Sequence, residues 1–144
     1  MMRRDLLAVL LVCTVTVALT GGLAGCGDDV VVVGHRAPKI RSKTIKKGFG
    51  ASAKEGQMVG VHYVGKLPDG KVFMDTHSKG SPHIWRIGDG TVIVGMDMAV
   101  RGMKPGEIRI VKIPPELHWG RNGYGGVVPP NTTLTFEIEL ISVN

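Results

Sequence analysis

Cysteine is nearly absent: the 144 residues include two, Cys13 and Cys26, both within the first 26 positions. Beyond them the chain has no thiol nucleophile, no disulfide and no cysteine to ligate a metal. Aromatic side chains are scarce as well, at three Phe, two Tyr and two Trp, so the placement of each one matters. Acids number 12 against 18 Lys and Arg, a formal charge of +6 that permits contact with anionic surfaces without naming one. The histidines form no constellation. His62 and His83 have no nucleophile or carboxylate at a spacing that suits acid-base chemistry. His35, His77 and His118 lack the close spacing of metal ligands, so structural or exposed histidines are expected, and no metal. No internal repeat or low-complexity tract occurs.

What is abundant is glycine, at 21, and proline, at eight, which favours turn-rich β structure over a helical bundle. The one long apolar run is N-terminal. Arg3 and Arg4 form a charged start, Leu6 to Leu19 is interrupted only by Thr and one Cys, and Thr20 to Gly25 is a small-residue exit, the layout of an export signal. Its end, Leu23-Ala24-Gly25-Cys26, resembles the lipobox of bacterial lipoproteins, which implies that Cys26 is lipidated and becomes the mature N-terminus. The competing readings are an ordinary cleaved signal and an uncleaved anchor, since Leu6 to Ala24 is 19 residues, close to a bilayer span. The expected location is therefore outside the cytoplasm, lipid-anchored to the cell membrane and facing the periplasm or exterior. In a eukaryote a secretory or organellar lumen replaces it, and Asn131-Thr132-Thr133 becomes a glycosylation acceptor.

The expected organisation is a signal over residues 1–26, a tether over 27–38, with Val30 to Val33 able to add an edge strand, and a folded domain over 39–144. Positive charge concentrates at the start of that domain. From Arg36 through Lys39, Arg41, Lys43, Lys46, Lys47 and Lys54 no acid intervenes before Glu55. Three readings apply: a solvated linker and edge strand kept soluble by lysine, docking onto anionic lipid head groups, or nucleic-acid binding. The last is disfavoured, because no aromatic interleaves these cations before Phe49.

Within the domain, period-two alternation marks the strands. Lys39 to Ile45 suits a short first strand. Gln57 to Leu67 places Val59, Val61, Tyr63 and Leu67 on one face, and Pro68-Asp69-Gly70 turns the chain into a partner strand over Lys71 to His77. His83 to Ile87 and Glu107 to Ile113 are further strands. Val94 to Met103 is the one helical stretch, with Asp97 near its start where the macrodipole favours an acid. A loop rich in glycine and aromatics, Trp119 to Pro130, reads as the rim of a binding site. It feeds a last strand in which Leu134, Phe136, Ile138 and Leu140 share the buried face. The sum is an α+β domain dominated by an antiparallel sheet.

Several of these runs together resemble the FKBP-type peptidyl-prolyl cis/trans isomerases, the tacrolimus-binding immunophilins. Val61-His62-Tyr63-Val64-Gly65 with Pro68 to Phe73 is similar to the family's hairpin. Gly95 and Gly102 to Glu107 match its helix and following turn, and Ile113 to Gly120 with Gly126 to Phe136 match its two C-terminal signatures. The resemblance implies a twisted antiparallel half-barrel of about five strands wrapped over one short helix, with an apolar pocket between the two.

Carried over by position, the resemblance implies catalytic roles for Tyr63, Phe73, Trp85 and Phe136 from the strands. Val92, Ile93, Met96 and Trp119 come from the helix region and the rim, and Asp75 stands at the polar edge. His83, Tyr124, Val127 and Val128 are expected to touch substrate. The implied substrates are proline-containing unfolded polypeptides, with macrolides of the tacrolimus type bound more weakly. A monomer is expected that uses no cofactor and binds no nucleic acid.

This sequence departs from the family at four places. Met96 stands for the usual floor tryptophan, His83 for the first pocket phenylalanine, and Met74 for the aspartate after Phe73, so that either the strand bulges there or Asp75 points elsewhere. Trp119 stands for a tyrosine whose hydroxyl holds a ligand carbonyl. A non-catalytic peptide-binding module on the same fold is the alternative that these departures leave open.

Overall fold

The computed structural model describes residues 37–144. The signal-like segment, Cys26, Val30 to Val33 and most of the tether lie outside the described residues. Within His35–Asn144, one compact unit, six strands run β1 (Arg41–Lys46), β2 (Met58–Lys66), β3 (Val72–Asp75), β4 (His83–Arg86), β5 (Ile108–Ile113) and β6 (Leu134–Val143). A single helix, α1 (Val94–Val100), precedes β5, and a 3-10 turn over Pro115–Leu117 follows it.

All pairings are antiparallel, in the order β1-β5-β6-β2-β3 with β4 also on β2. The last strand is thus central, which suits its composition. Leu134, Phe136, Ile138 and Leu140 are buried while Glu137 and Ile141 face water. Each fully buried apolar side chain contributes roughly 1.5–3 kcal/mol, so this face anchors the domain. Among the described residues, the buried hydrophobic core runs from Ala53 to Leu140, with Ile40 and Val143 packed against it.

The outer edge of β2 is shared. β4 pairs with Met58 to Val61, and β3 pairs with Val64 to Lys66. Between them the chain leaves the sheet, and Thr76 fills the gap. Its backbone N–H donates to the Tyr63 carbonyl at 3.1 Å, and its hydroxyl accepts from the Tyr63 N–H at 2.9 Å. A buried strand would otherwise carry an orphan donor there.

The β2–β3 turn follows its residues: the Gly70 N–H donates to the Leu67 carbonyl at 2.9 Å, with Gly70 at φ 87°. The return strand is less regular. Lys66 pairs with Val72 and Gly65 with Met74, which leaves Phe73 as one extra residue. The bulge turns both Phe73 and Met74 toward the concave side. Glycine at 65 permits it, because a Cβ there would lie 2.7 Å from the Phe73 ring and 2.9 Å from that of Phe136.

Helix α1 lies across the concave face with Met96, Ala99 and Val100 buried against the sheet. Gly95 packs so closely on Ile113 that an added Cβ would collide with its side chain. The helix is shorter than its pattern suggested, because Arg101 is extended and Gly102 takes φ 78°. Met103 is then turned back into the core. The role of Asp97 is also different from that of a macrodipole acid. Its buried carboxylate accepts the Trp85 indole N–H at 3.0 Å and the Gly88 N–H at 2.7 Å, which fastens α1 to the end of β4.

Candidate functional site

A cavity of about 450 Å³ opens between α1 and the concave face. The sheet supplies Tyr63 from β2, Met74 from β3, His83 from β4 and Phe136 from β6. Gly90, Thr91, Val92 and Ile93 approach on the loop before α1, Met96 comes from the helix, and Trp119 and Tyr124 come from the β5–β6 loop. Met96, buried at the base, is the floor.

The walls are aromatic and mutually braced. Tyr63 meets Phe136 edge to face at 6.1 Å, while Trp119 and Tyr124 stack at 4.5 Å to form the rim. Phe73 stands behind this wall, edge-on to Phe136 at 5.8 Å and to Trp119 at 6.4 Å.

Polar groups are few. The Tyr63 hydroxyl and His83 Nδ1 share a hydrogen bond of 3.1 Å. Burial, and secondarily the nearby Tyr124 phenol, push the Tyr63 phenol above its ordinary value, so it remains an O–H. The Ile93 N–H, ahead of the first turn of α1, has no acceptor among the described residues. The N–H groups of Gly90 and Val92, on the same loop, likewise have no acceptor among the described residues, so this loop brings free amide donors to the cavity.

The rim loop is held by a bridge in which Tyr124 and Val128 exchange N–H to C=O bonds at 3.0 Å in both directions. His118 secures its other end. The Trp119 N–H can only donate and the Thr132 carbonyl can only accept, so Nδ1 accepts from the first and Nε2–H donates to the second, each at 2.7 Å. Burial holds the His118 imidazole below its ordinary value, against the opposing pull of the Thr132 carbonyl and Glu116.

Of the residues expected from sequence, Tyr63, His83, Val92, Ile93, Met96, Trp119, Tyr124 and Phe136 meet at this cavity. Trp85 does not. It is 3% exposed, in the core, and touches the site only through the edge of the His83 ring at 5.4 Å. Asp75 is opposite Val64, on the outward side of the bulge, and its carboxylate accepts the His77 N–H at 2.8 Å. Val128 is buried beneath the rim and Val127 projects into solvent. Met74, Gly90 and Thr91 line the cavity without having been singled out as its walls. The signal for Met74 was the bulge, which side-chain alternation alone does not reveal.

A family model described as FKBP-type peptidyl-prolyl cis-trans isomerase matches residues 50–141. The chain belongs to that family. FK506-binding protein 3 of Yarrowia lipolytica (strain CLIB 122 / E 150) is 48% identical over 106 residues, 73% of this chain and 25% of that protein. FK506-binding protein 2 of the same yeast is 46% identical over 92 residues, 64% of each chain. FK506-binding protein 1 of Dictyostelium discoideum is 44% identical over 98 residues, 68% of this chain and 92% of that one. The chain spans about a quarter of the length of the first of these relatives.

The crystal structure of AtFKBP13 superimposes with a TM-score of 0.69 at 38% identity, over 73% of this chain and 93% of that one. The two chains share the FKBP fold. Met74, at the position where the resemblance implies an aspartate, lies on the cavity wall, and the Tyr63 hydroxyl is bonded to His83.

Proposed function

We propose that this FKBP domain accelerates cis/trans rotation about X-Pro bonds in polypeptides folding after export, held at the membrane by a lipid on Cys26. Rotation about a peptide bond has a barrier of roughly 18–20 kcal/mol because resonance gives the C–N bond double-bond character. The two X-Pro isomers lie close in energy, so a catalyst lowers the barrier without supplying a driving force. No nucleophile, metal or cofactor is needed for that.

The observation that carries the reading is the aromatic, water-poor cleft, lined in part by Ile93, whose N–H has no acceptor among the described residues. A proline ring enters between Tyr63, Phe136 and Trp119 over Met96, while the amide N–H takes the carbonyl of the neighbouring residue. The planar amide is the more charge-separated form, and twisting localises the lone pair on nitrogen. An apolar cleft disfavours the planar form more than the twisted one, which is differential binding of the transition state. Flexible Met96 packs less firmly on a ring than an indole, and with Met74 and His83 at the polar edge, macrolides of the tacrolimus type bind weakly. Uncatalysed isomerisation takes tens of seconds, slow enough to limit folding after export. The domain acts as a monomer.

The deciding experiment follows the cis-to-trans rate of a proline peptide with the purified domain and with Phe136→Ala. Acceleration that disappears in the variant, with both proteins shown to be folded, supports the isomerase. A rate equal to the spontaneous one, with peptide still bound, assigns the cleft to the non-catalytic binding module. Fatty-acid labelling of whole cells, lost in Cys26→Ser, tests the anchor separately.

A further inference from the structure

The surface around Phe49 is unlike the rest of the domain. Phe49 is 85% exposed, and its ring is held out by a fixed backbone. Its N–H donates to the Pro105 carbonyl at 2.9 Å, and Gly48 before it sits so tightly against the Lys104 and Pro105 carbonyls that a Cβ would collide. Ile45, four residues earlier, is 53% exposed, because it is the extra residue of a bulge between Thr44 and Lys46 in the β1–β5 pairing. Two apolar side chains are thus presented to water at one end of the edge strand β1.

Exposed cations surround them. Lys43, Lys46 and Lys47 belong to the same stretch, and Lys104 stands on the turn that pins Gly48. The acids nearby are engaged elsewhere. Glu107 is buried and paired with Arg109 at 2.6 Å, and Glu55 pairs with Arg101 at 3.5 Å. The patch therefore combines apolar tips with positive charge that has no acidic partner among the described residues.

We propose that this corner, Ile45 and Phe49 ringed by Lys43, Lys46, Lys47 and Lys104, docks the domain onto an anionic lipid bilayer. An interfacial contact needs apolar groups that enter the head-group layer and cations that meet its charge, and both stand on one rigid corner. Single-stranded nucleic acid fits less well, because it asks for successive aromatic platforms and this corner has one ring beside an aliphatic chain. The site is independent of the proposed lipid on Cys26 and of the isomerase reading.

The test uses residues 37–144, which share their fold with a crystallised relative over 93% of that relative's chain, so that the N-terminal segment takes no part. The probe is vesicles of phosphatidylcholine, alone or mixed equally with phosphatidylglycerol, and the readout is co-sedimentation. Binding to the mixed vesicles, weak binding to phosphatidylcholine alone and loss of binding in high salt are expected. Phe49→Ser, at a side chain that packs on nothing, lowers the partition constant about tenfold with an unchanged melting temperature. Each lysine contributes about fivefold, so Lys46→Gln with Lys47→Gln lowers it roughly 25-fold. Equal binding to both vesicle types, no binding to either, or Phe49→Ser behaving as the parent overturns the proposal. Tighter binding to a single-stranded oligonucleotide that depends on Phe49 also overturns it, and reassigns the corner to nucleic acid.

Discussion

Replacing Trp85 by Phe separates two accounts of this tryptophan. If it lined the site, the change would weaken substrate binding and leave the fold intact. Its position in the core gives the opposite result. The indole N–H is one of two donors to the buried Asp97 carboxylate, and the other is the Gly88 N–H. Removing a hydrogen bond to a charged, buried acceptor costs about 1.5–3 kcal/mol. The smaller ring leaves a void that adds on the order of 1–2 kcal/mol. A total of about 3 kcal/mol, at roughly 4–8 °C per kcal/mol for a domain of about 100 residues, lowers the melting temperature by about 15 °C. Asp97→Asn costs a similar amount, since its amide offers a donor where one of the two N–H groups needs an acceptor. The double variant is less destabilised than the sum of the singles, because both break the same contact.

The assay is thermal unfolding by circular dichroism, with isomerase activity read well below the melting point. Trp119 remains as the fluorescent reporter of the rim in Trp85→Phe. Activity near that of the parent, in a protein that melts early, is the expected outcome. A melting temperature within a few degrees of the parent, together with a raised KM, would refute the clamp and return Trp85 to the cavity wall.

Two further perturbations follow from the geometry. Burial favours the neutral His118 imidazole, against the pull of the Thr132 carbonyl and Glu116, and its folded-state value lies below the ordinary 6.5. Its contribution to stability is therefore complete above 6.5 and is lost as the pH falls through the lower folded value. His118→Ala lowers stability by about 1 kcal/mol at neutral pH and flattens the acid limb of a denaturation profile. An unchanged slope in the variant contradicts the assignment. Gly95→Ala drives a methyl group into Ile113 at the seam between α1 and β5 and costs about 1–3 kcal/mol in a denaturant titration, although alanine is the better helix former.

How far the sequence could be read depended on whether the deciding contact was local. The alternation of β6 was legible because a half-buried strand writes its two faces into neighbouring residues. The proline-glycine turn into β3 was legible for the same reason. Trp85 was not, because its partner Asp97 lies 12 residues away on another element, and only the fold brings them together. The bulge at Phe73 was one of two alternatives that the displaced aspartate raised, and alternation could not decide it: it depends on two phenyl rings crowding over Gly65, and one of them comes from the far end of the chain. Asp75 was misdirected by that one extra residue. The family pattern nonetheless named residues that share one cavity, since it fixes positions that neither spacing nor alternation can.

The divided edge of β2 has a further consequence. Thr76 closes the backbone of Tyr63 before the chain departs, and β4 resumes pairing at His83, so the six residues between them carry no ladder of their own. Part of that excursion, Lys79, Ser81 and Pro82, borders a shallow hollow that shares Tyr63, Met74 and His83 with the main cavity. Because closure entropy grows only slowly with loop length, a longer segment can be grafted there at little cost to the sheet. Such a graft changes the border of the cavity at Tyr63, Met74 and His83 while the core beneath it stays as it is.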